Sequence, residues 1–181
     1  MEEKREKEYV DSVYAGPKEN EDVYAKFMEI TKKGVILDLG CGIGPASNYL
    51  NEFGYDCIGY DIEEYHLNMG KKYKPELKLY LGNMIDIPTQ SVKANGAVYA
   101  YCLQNLKDEE IIKSFNSCRD NLVEDGTILI FNISRLEWEP SFFINALDKE
   151  KIEMLLTKCS FKIKYIEYVD ENIIAVIASK K

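Results

Sequence analysis

VILDLGCGIGPAS, residues 35–47, joins an apolar run to a glycine-rich turn and then to the start of a helix. Val35, Ile36, Leu37 and Leu39 are nearly continuous in apolar character, as a strand buried on both faces of a parallel sheet requires. Gly40, Gly42 and Gly44 supply a turn in which the backbone takes positive φ and a ligand reaches the main chain without meeting a Cβ. The helix beyond offers free N–H groups at its N-terminus. Strand, turn and helix in this order predict a βα unit with a ligand at its tip.

The turn departs from the dinucleotide fingerprint. Counted from Gly40, the third glycine of G-x-G-x-x-G would fall at position 45, which is Pro45. Proline suits a first helical residue, where its missing N–H goes unused, but it removes a donor that a pyrophosphate would want. Asp38 closes the strand with a carboxylate expected to face the same crevice, repelling phosphate and attracting a cationic amino group. These signs favour an amino-acid and nucleoside ligand.

DLGCGIG at 38–44, an acidic Asp61 closing CIGYDI at 57–62, and GNMIDIP at 82–88 after a third apolar segment occur together. The combination resembles the seven-strand, Rossmann-like S-adenosylmethionine-dependent methyltransferases, from about Val35 to the C-terminus. The resemblance implies a doubly wound α/β fold with helices on both faces. Its seven-stranded sheet would be mostly parallel and closed by a C-terminal antiparallel hairpin. It also implies that S-adenosyl-L-methionine binds, leaving S-adenosyl-L-homocysteine as product, at Asp38, Gly40, Cys41, Gly42, Gly44, Asp61, Ile62, Asn83, Met84 and Ala100.

Asp61 ends the second strand, where a carboxylate can accept both ribose hydroxyls, or else cap a helix from Glu63 onward. Asn83 stands where the family commonly has aspartate. Its amide oxygen can accept from the adenine amine, while the Met84 N–H meets a ring nitrogen and its side chain the adenine face. The alternatives are a turn residue and a core residue. Asp86 reads as surface.

In the related enzymes the fourth strand often begins with aspartate and leads into a Leu-His-His-Leu-like stretch. Here NGAVYAYCLQNL, 95–106, puts Asn95 in place of the aspartate and Gln104 and Asn105 in place of both histidines. Neutral amides do not take protons usefully near neutral pH. Tyr101, Gln104 and Asn105 are therefore candidates for orienting an acceptor, not for deprotonating it, and the general base is left open. In-line displacement at a sulfonium can draw much of its rate from alignment and exclusion of water.

Tyr14, Tyr99, Tyr101 and Trp138 are the candidate substrate-side residues. Strand alternation turns one of Tyr99 and Tyr101 toward the crevice, and electron-rich rings stabilise a nearby cation. The alternative is that both rings pack against helices. Tyr9 and Tyr14, before Gly16 and Pro17, could fold over the cofactor as a lid. Trp138 lies in RLEWEPSFFI, 135–144, which could form a substrate wall, a dimer contact or core packing. His66, the only histidine, reads as a surface or packing residue. No cluster of ligands suggests a metal.

Composition agrees. A chain of 181 residues with 46% hydrophobic residues suits one globular domain, expected over 19–181 behind a flexible N-terminal segment or lid over 1–18. No apolar run reaches the roughly 18 residues of a membrane helix, and MEEKREKEYV is too charged for a signal peptide, so a cytoplasmic protein is expected. Five cysteines without a CxxC pair fit reduced thiols. A formal charge of −8 argues against a nucleic-acid substrate. Whether the chain is a monomer or a homodimer is left open.

Periodicity predicts helices over 19–33, 46–53, 63–72, 108–122 and 148–159, alternating with strands over 35–39, 56–60, 77–81, 96–101 and 127–133. Two adjacent strands, 161–169 and 172–179, are joined by too short a turn to be parallel. The expected function is methyl transfer to a small-molecule acceptor. Methylation of a protein or RNA group, or a non-catalytic binding role on the same fold, are the alternatives.

Overall fold

The computed structural model describes residues 2–87, 93–135 and 144–181. Its chain order is α1 (Glu2–Glu19), α2 (Glu21–Ile30), β1 (Val35–Leu39), α3 (Pro45–Glu52), β2 (Asp56–Asp61), α4 (Glu64–Tyr73) and β3 (Lys78–Leu81). After these come β4 (Ala94–Ala100), a 3-10 turn (Leu103–Asn105), α5 (Asp108–Asn121), β5 (Leu122–Ile133), α6 (Lys149–Lys158), β6 (Phe161–Asp170) and β7 (Ile173–Lys180).

One seven-stranded sheet runs in the order β3-β2-β1-β4-β5-β7-β6. The first five of these strands pair in parallel, and β7 is antiparallel to both β5 and β6. This is the doubly wound sheet with a C-terminal hairpin expected from the alternating pattern. In β1, Leu37 and Leu39 enter the core under α5 and α6, with Ile111, Phe115, Ile152 and Leu156. Ile36 enters the opposite core under α2 and α3, with Tyr24, Phe27, Tyr49 and Leu50. Both faces are apolar because both are covered.

The chain reverses direction across the sheet between β1, which pairs on one side with β2, and β4 on the other. Ligands of open α/β sheets sit at the carboxyl ends of the strands flanking such a switch point. The turns following β1 and β4 open there. Asn95 lies at the other end of the sheet, where its Oδ1 accepts the Val35 N–H at 3.2 Å. The aspartate-to-asparagine difference noted above therefore falls on strand tethering.

Residues 2–18, which belong to the segment expected over 1–18 as flexible or a lid, lie in the helix α1. Val10, Val13 and Tyr14 of α1 pack against Ile43 of the glycine turn and against Met69 and Tyr73 of α4. Among the described residues no helix is long and apolar enough to cross a membrane.

Candidate functional site

The glycine turn is shaped from both sides. Gly44 takes φ +86, and a Cβ there would lie 2.9 Å from Leu77 and 3.1 Å from Leu79, so this glycine lets α3 approach β3. Gly42 takes φ +54 with no atom within 4 Å of a would-be Cβ, and so borders open space. Pro45 is the first residue of α3, as expected.

Asp61, ending β2, accepts the Gly42 N–H on Oδ2 at 2.7 Å and the Glu63 N–H on Oδ1 at 2.9 Å. The carboxylate thus fixes the turn, and each oxygen keeps a lone pair for a further donor. Asp38 behaves differently from the expectation. It is 1% exposed, and its Oδ2 accepts the Ser47 N–H at 3.0 Å and the Ser47 hydroxyl at 2.7 Å. The carboxylate caps α3 from beneath instead of facing the crevice, because β1 alternation turns it under the helix. Burial pushes its pKa up to about 6, against the lowering effect of the Ser47 bonds.

A cavity of about 260 Å³ opens on this turn. Gly40, Cys41, Gly42, Ile43, Pro45 and Ala46 form its floor, and Ala100, Tyr101 and Phe131 bring in the ends of β4 and β5. Tyr9, Val13, Gly16, Pro17 and Asn20 close it from α1 and its junction with α2, while Tyr24 and His66 complete the wall. Tyr14 stands beside it, its hydroxyl donating to the Ile43 carbonyl at 2.6 Å.

Tyr101 has φ +56, a conformation rarely held by a bulky residue and often found at functional sites. Its ring stacks on Phe131 at 6.0 Å, and Asn20 lines the cavity with it. Burial raises the hydroxyl pKa, the Asn20 side chain opposes that rise, and the carboxylates of Asp170 and Glu19 add to it.

The structure therefore brings Gly40, Cys41, Gly42, Ala100 and Tyr101 to one cavity, with Asp61 bonded to its floor. Ile62, 62% exposed, and Asn83 and Met84 lie outside that cavity. Asn83 Oδ1 accepts the Ile85 N–H at 3.0 Å, and Met84 packs partly against the core. Tyr99 is fully buried with its hydroxyl on Ser114, so it belongs to the core; Tyr101, just past the end of β4 at φ +56, leaves the strand's alternation and lines the cavity. Gln104 and Asn105 sit in the 3-10 turn after β4, outside the cavity wall. Gln104 donates through Nε2 to the Tyr101 carbonyl at 2.7 Å, which positions the strained residue. Trp138 lies outside the described residues. His66, read as surface or packing, is half-buried and on the cavity wall.

Tyr9, expected with Tyr14 in a lid, lines the cavity, whereas Val13, Pro17, Asn20, Tyr24 and Phe131 were missed. The α1 signal was present: Val10, Val13, Tyr14 and Pro17 have the i, i+3, i+4, i+7 spacing of one helix face. Phe131 is set beside Ala100 by the β4–β5 register, which a single chain does not reveal.

A methyltransferase-domain family matches residues 36–126, half of the chain. A curated relative, an uncharacterized methyltransferase of Alkaliphilus oremlandii, is 23% identical over 141 residues, covering 77% of this chain and 64% of the relative. The chain thus spans less than two thirds of that relative's length. A protein of Pyrococcus horikoshii OT3 has a similar fold, with TM-score 0.82 at 18% identity over 92% of this chain and 90% of its own. The glycopeptide N-methyltransferase MtfA, solved with S-adenosyl-L-methionine, gives TM-score 0.73 at 14% identity over 87% of this chain and 85% of its own.

Proposed function

This chain belongs to the methyltransferase-domain family, and on that premise we propose that it transfers a methyl group from S-adenosyl-L-methionine to a small-molecule acceptor. The observation that carries this reading is the bond from the Gly42 N–H to the Asp61 carboxylate at the edge of a cavity partly covered by α1. The residues fit the donor. Asp61 keeps acceptor capacity for a diol, Gly42 leaves room for close approach, and Pro45 withholds a donor that the ligand, lacking phosphate, does not need.

S-adenosyl-L-methionine supplies a methyl group made electrophilic by a sulfonium. The chain supplies position and shelter: α1 partly covers the cavity, and the strained Tyr101, held by Gln104, sets its wall. Alignment and exclusion of water are the effects such a wall contributes to an in-line displacement. The cavity, bounded on one side by α1, suits a small acceptor better than a polymer.

Calorimetric titration with S-adenosyl-L-methionine, S-adenosyl-L-homocysteine and NADH tests the donor assignment. The two adenosyl ligands should bind at micromolar affinity, NADH should not, and Asp61→Ala should weaken binding at least tenfold. Failure of both adenosyl ligands to bind would leave only the fold.

A further inference from the structure

Tyr101, 43% exposed, is the open ring of one cavity wall, and the buried Phe131 and Tyr24 back it. Tyr101 lies over Phe131 with planes 18° apart, and Tyr24 meets the same phenylalanine with centroids 5.5 Å apart. Tyr9 of α1 adds a fourth ring to the lining. None of the described lining residues is lysine or arginine. The charges that reach the cavity residues are negative: Asp170 and Glu19 act on Tyr101, and Asp38 and Asp61 on Cys41. Aromatic faces carry negative potential and attract cations, and a cavity with carboxylates around it and no cation on its wall repels anions.

We propose that the methyl acceptor is a small amine with an apolar body, received as an ammonium ion against the Tyr101 ring that Phe131 and Tyr24 back. This rests on the methyl-transfer reading and narrows its substrate class. The same wall disfavours carboxylate and phosphate acceptors. The ammonium first loses one proton to bulk water at the open side of the cavity, before it is aligned behind the methyl group. The nitrogen lone pair then forms the N–C bond while the C–S bond breaks, its electron pair remaining on sulfur. The product is an N-methylammonium ion, and sulfonium charge has moved to nitrogen.

The test is binding to protein saturated with S-adenosyl-L-homocysteine, titrated with 2-phenylethylamine, its N,N,N-trimethylammonium analogue, 2-phenylethanol and phenylacetate. Both cations should bind at least tenfold more tightly than the alcohol, and phenylacetate more weakly than the alcohol. Tyr101→Phe should keep the preference, and Tyr101→Leu should reduce it severalfold at unchanged circular dichroism. Equal binding of alcohol and cations, preference for phenylacetate, or binding of no probe would overturn the proposal. Cations that bind the free protein but are expelled by S-adenosyl-L-homocysteine would also overturn it, assigning the rings to the donor's sulfonium. If the homocysteine ligand itself fails to bind while the cation preference persists, the methyl-transfer reading falls and the ammonium site stands.

Discussion

The Tyr14 hydroxyl donates to the Ile43 carbonyl across 2.6 Å, and this bond fastens α1 to the glycine turn it covers. Ile43 presents that carbonyl because Gly70 of α4 leaves space for it: a Cβ on Gly70 would stand 2.6 Å from the same oxygen. Helix, turn and neighbouring helix therefore meet at one backbone atom.

Tyr14→Phe keeps the ring packing and removes the bond, which is worth about 1 kcal/mol. Limited proteolysis followed by mass spectrometry should show faster cleavage within residues 2–19, slowed again by S-adenosyl-L-homocysteine. An unchanged cleavage rate would mean that apolar packing alone holds α1.

Two glycines of one turn should fail in different ways. Gly44→Ala brings a Cβ into Leu77 and Leu79 at positive φ and should cost about 2–3 kcal/mol of stability, read from urea unfolding. Gly42→Ala meets no atom, so its stability cost should stay near 1 kcal/mol, while affinity for S-adenosyl-L-methionine falls at least tenfold. Equal losses of stability in the two variants would contradict this division.

Asp38 gives a pH dependence with a defined sign. Its folded pKa of about 6 lies above the ordinary carboxylate value, so between roughly pH 4 and 6 the folded state binds more protons than the unfolded state. Rising pH through that window therefore lowers stability. Asp38→Asn cannot titrate. Relative to this variant, the native chain should lose about 2 kcal/mol between pH 4 and pH 7 in denaturant unfolding. A difference that stays constant with pH would mean that the Ser47 bonds keep the carboxylate ionised throughout.

His66 stands on the cavity wall and beside Tyr65, with ring centroids 5.8 Å apart. An amine that gives its proton to water needs no base there. His66→Ala should accordingly keep the rate of S-adenosyl-L-homocysteine formation within tenfold. A drop beyond about 100-fold, the scale of a general acid or base, would assign the proton to this imidazole.

The legible parts of this fold were those written in local pattern. Residues 35–47 specify strand, turn and helix by themselves, and Asp61 follows at the next strand end, so the donor turn could be placed before any contact was known. The charged residues of 2–8 hid the apolar face of α1, and a surface of α1 became a cavity wall only through its packing on Ile43 and Met69. Asp38 misled because the face of β1 it occupies is covered by α3, a tertiary fact. Phe131 was out of reach for a similar reason: its partner Ala100 is fixed by strand register and not by sequence spacing.

Tyr9 and Phe131 border the same cavity from distant parts of the chain. During synthesis the glycine turn and Asp61 leave the ribosome well before β5, and β5 is itself flanked in the sheet by β7, which is made later still. A nascent chain halted before β5 would carry the donor turn, Tyr24 and Tyr101 without Phe131, the ring on which both pack. Completion of the aromatic wall is thus deferred until β5 has been made and seated beside β7.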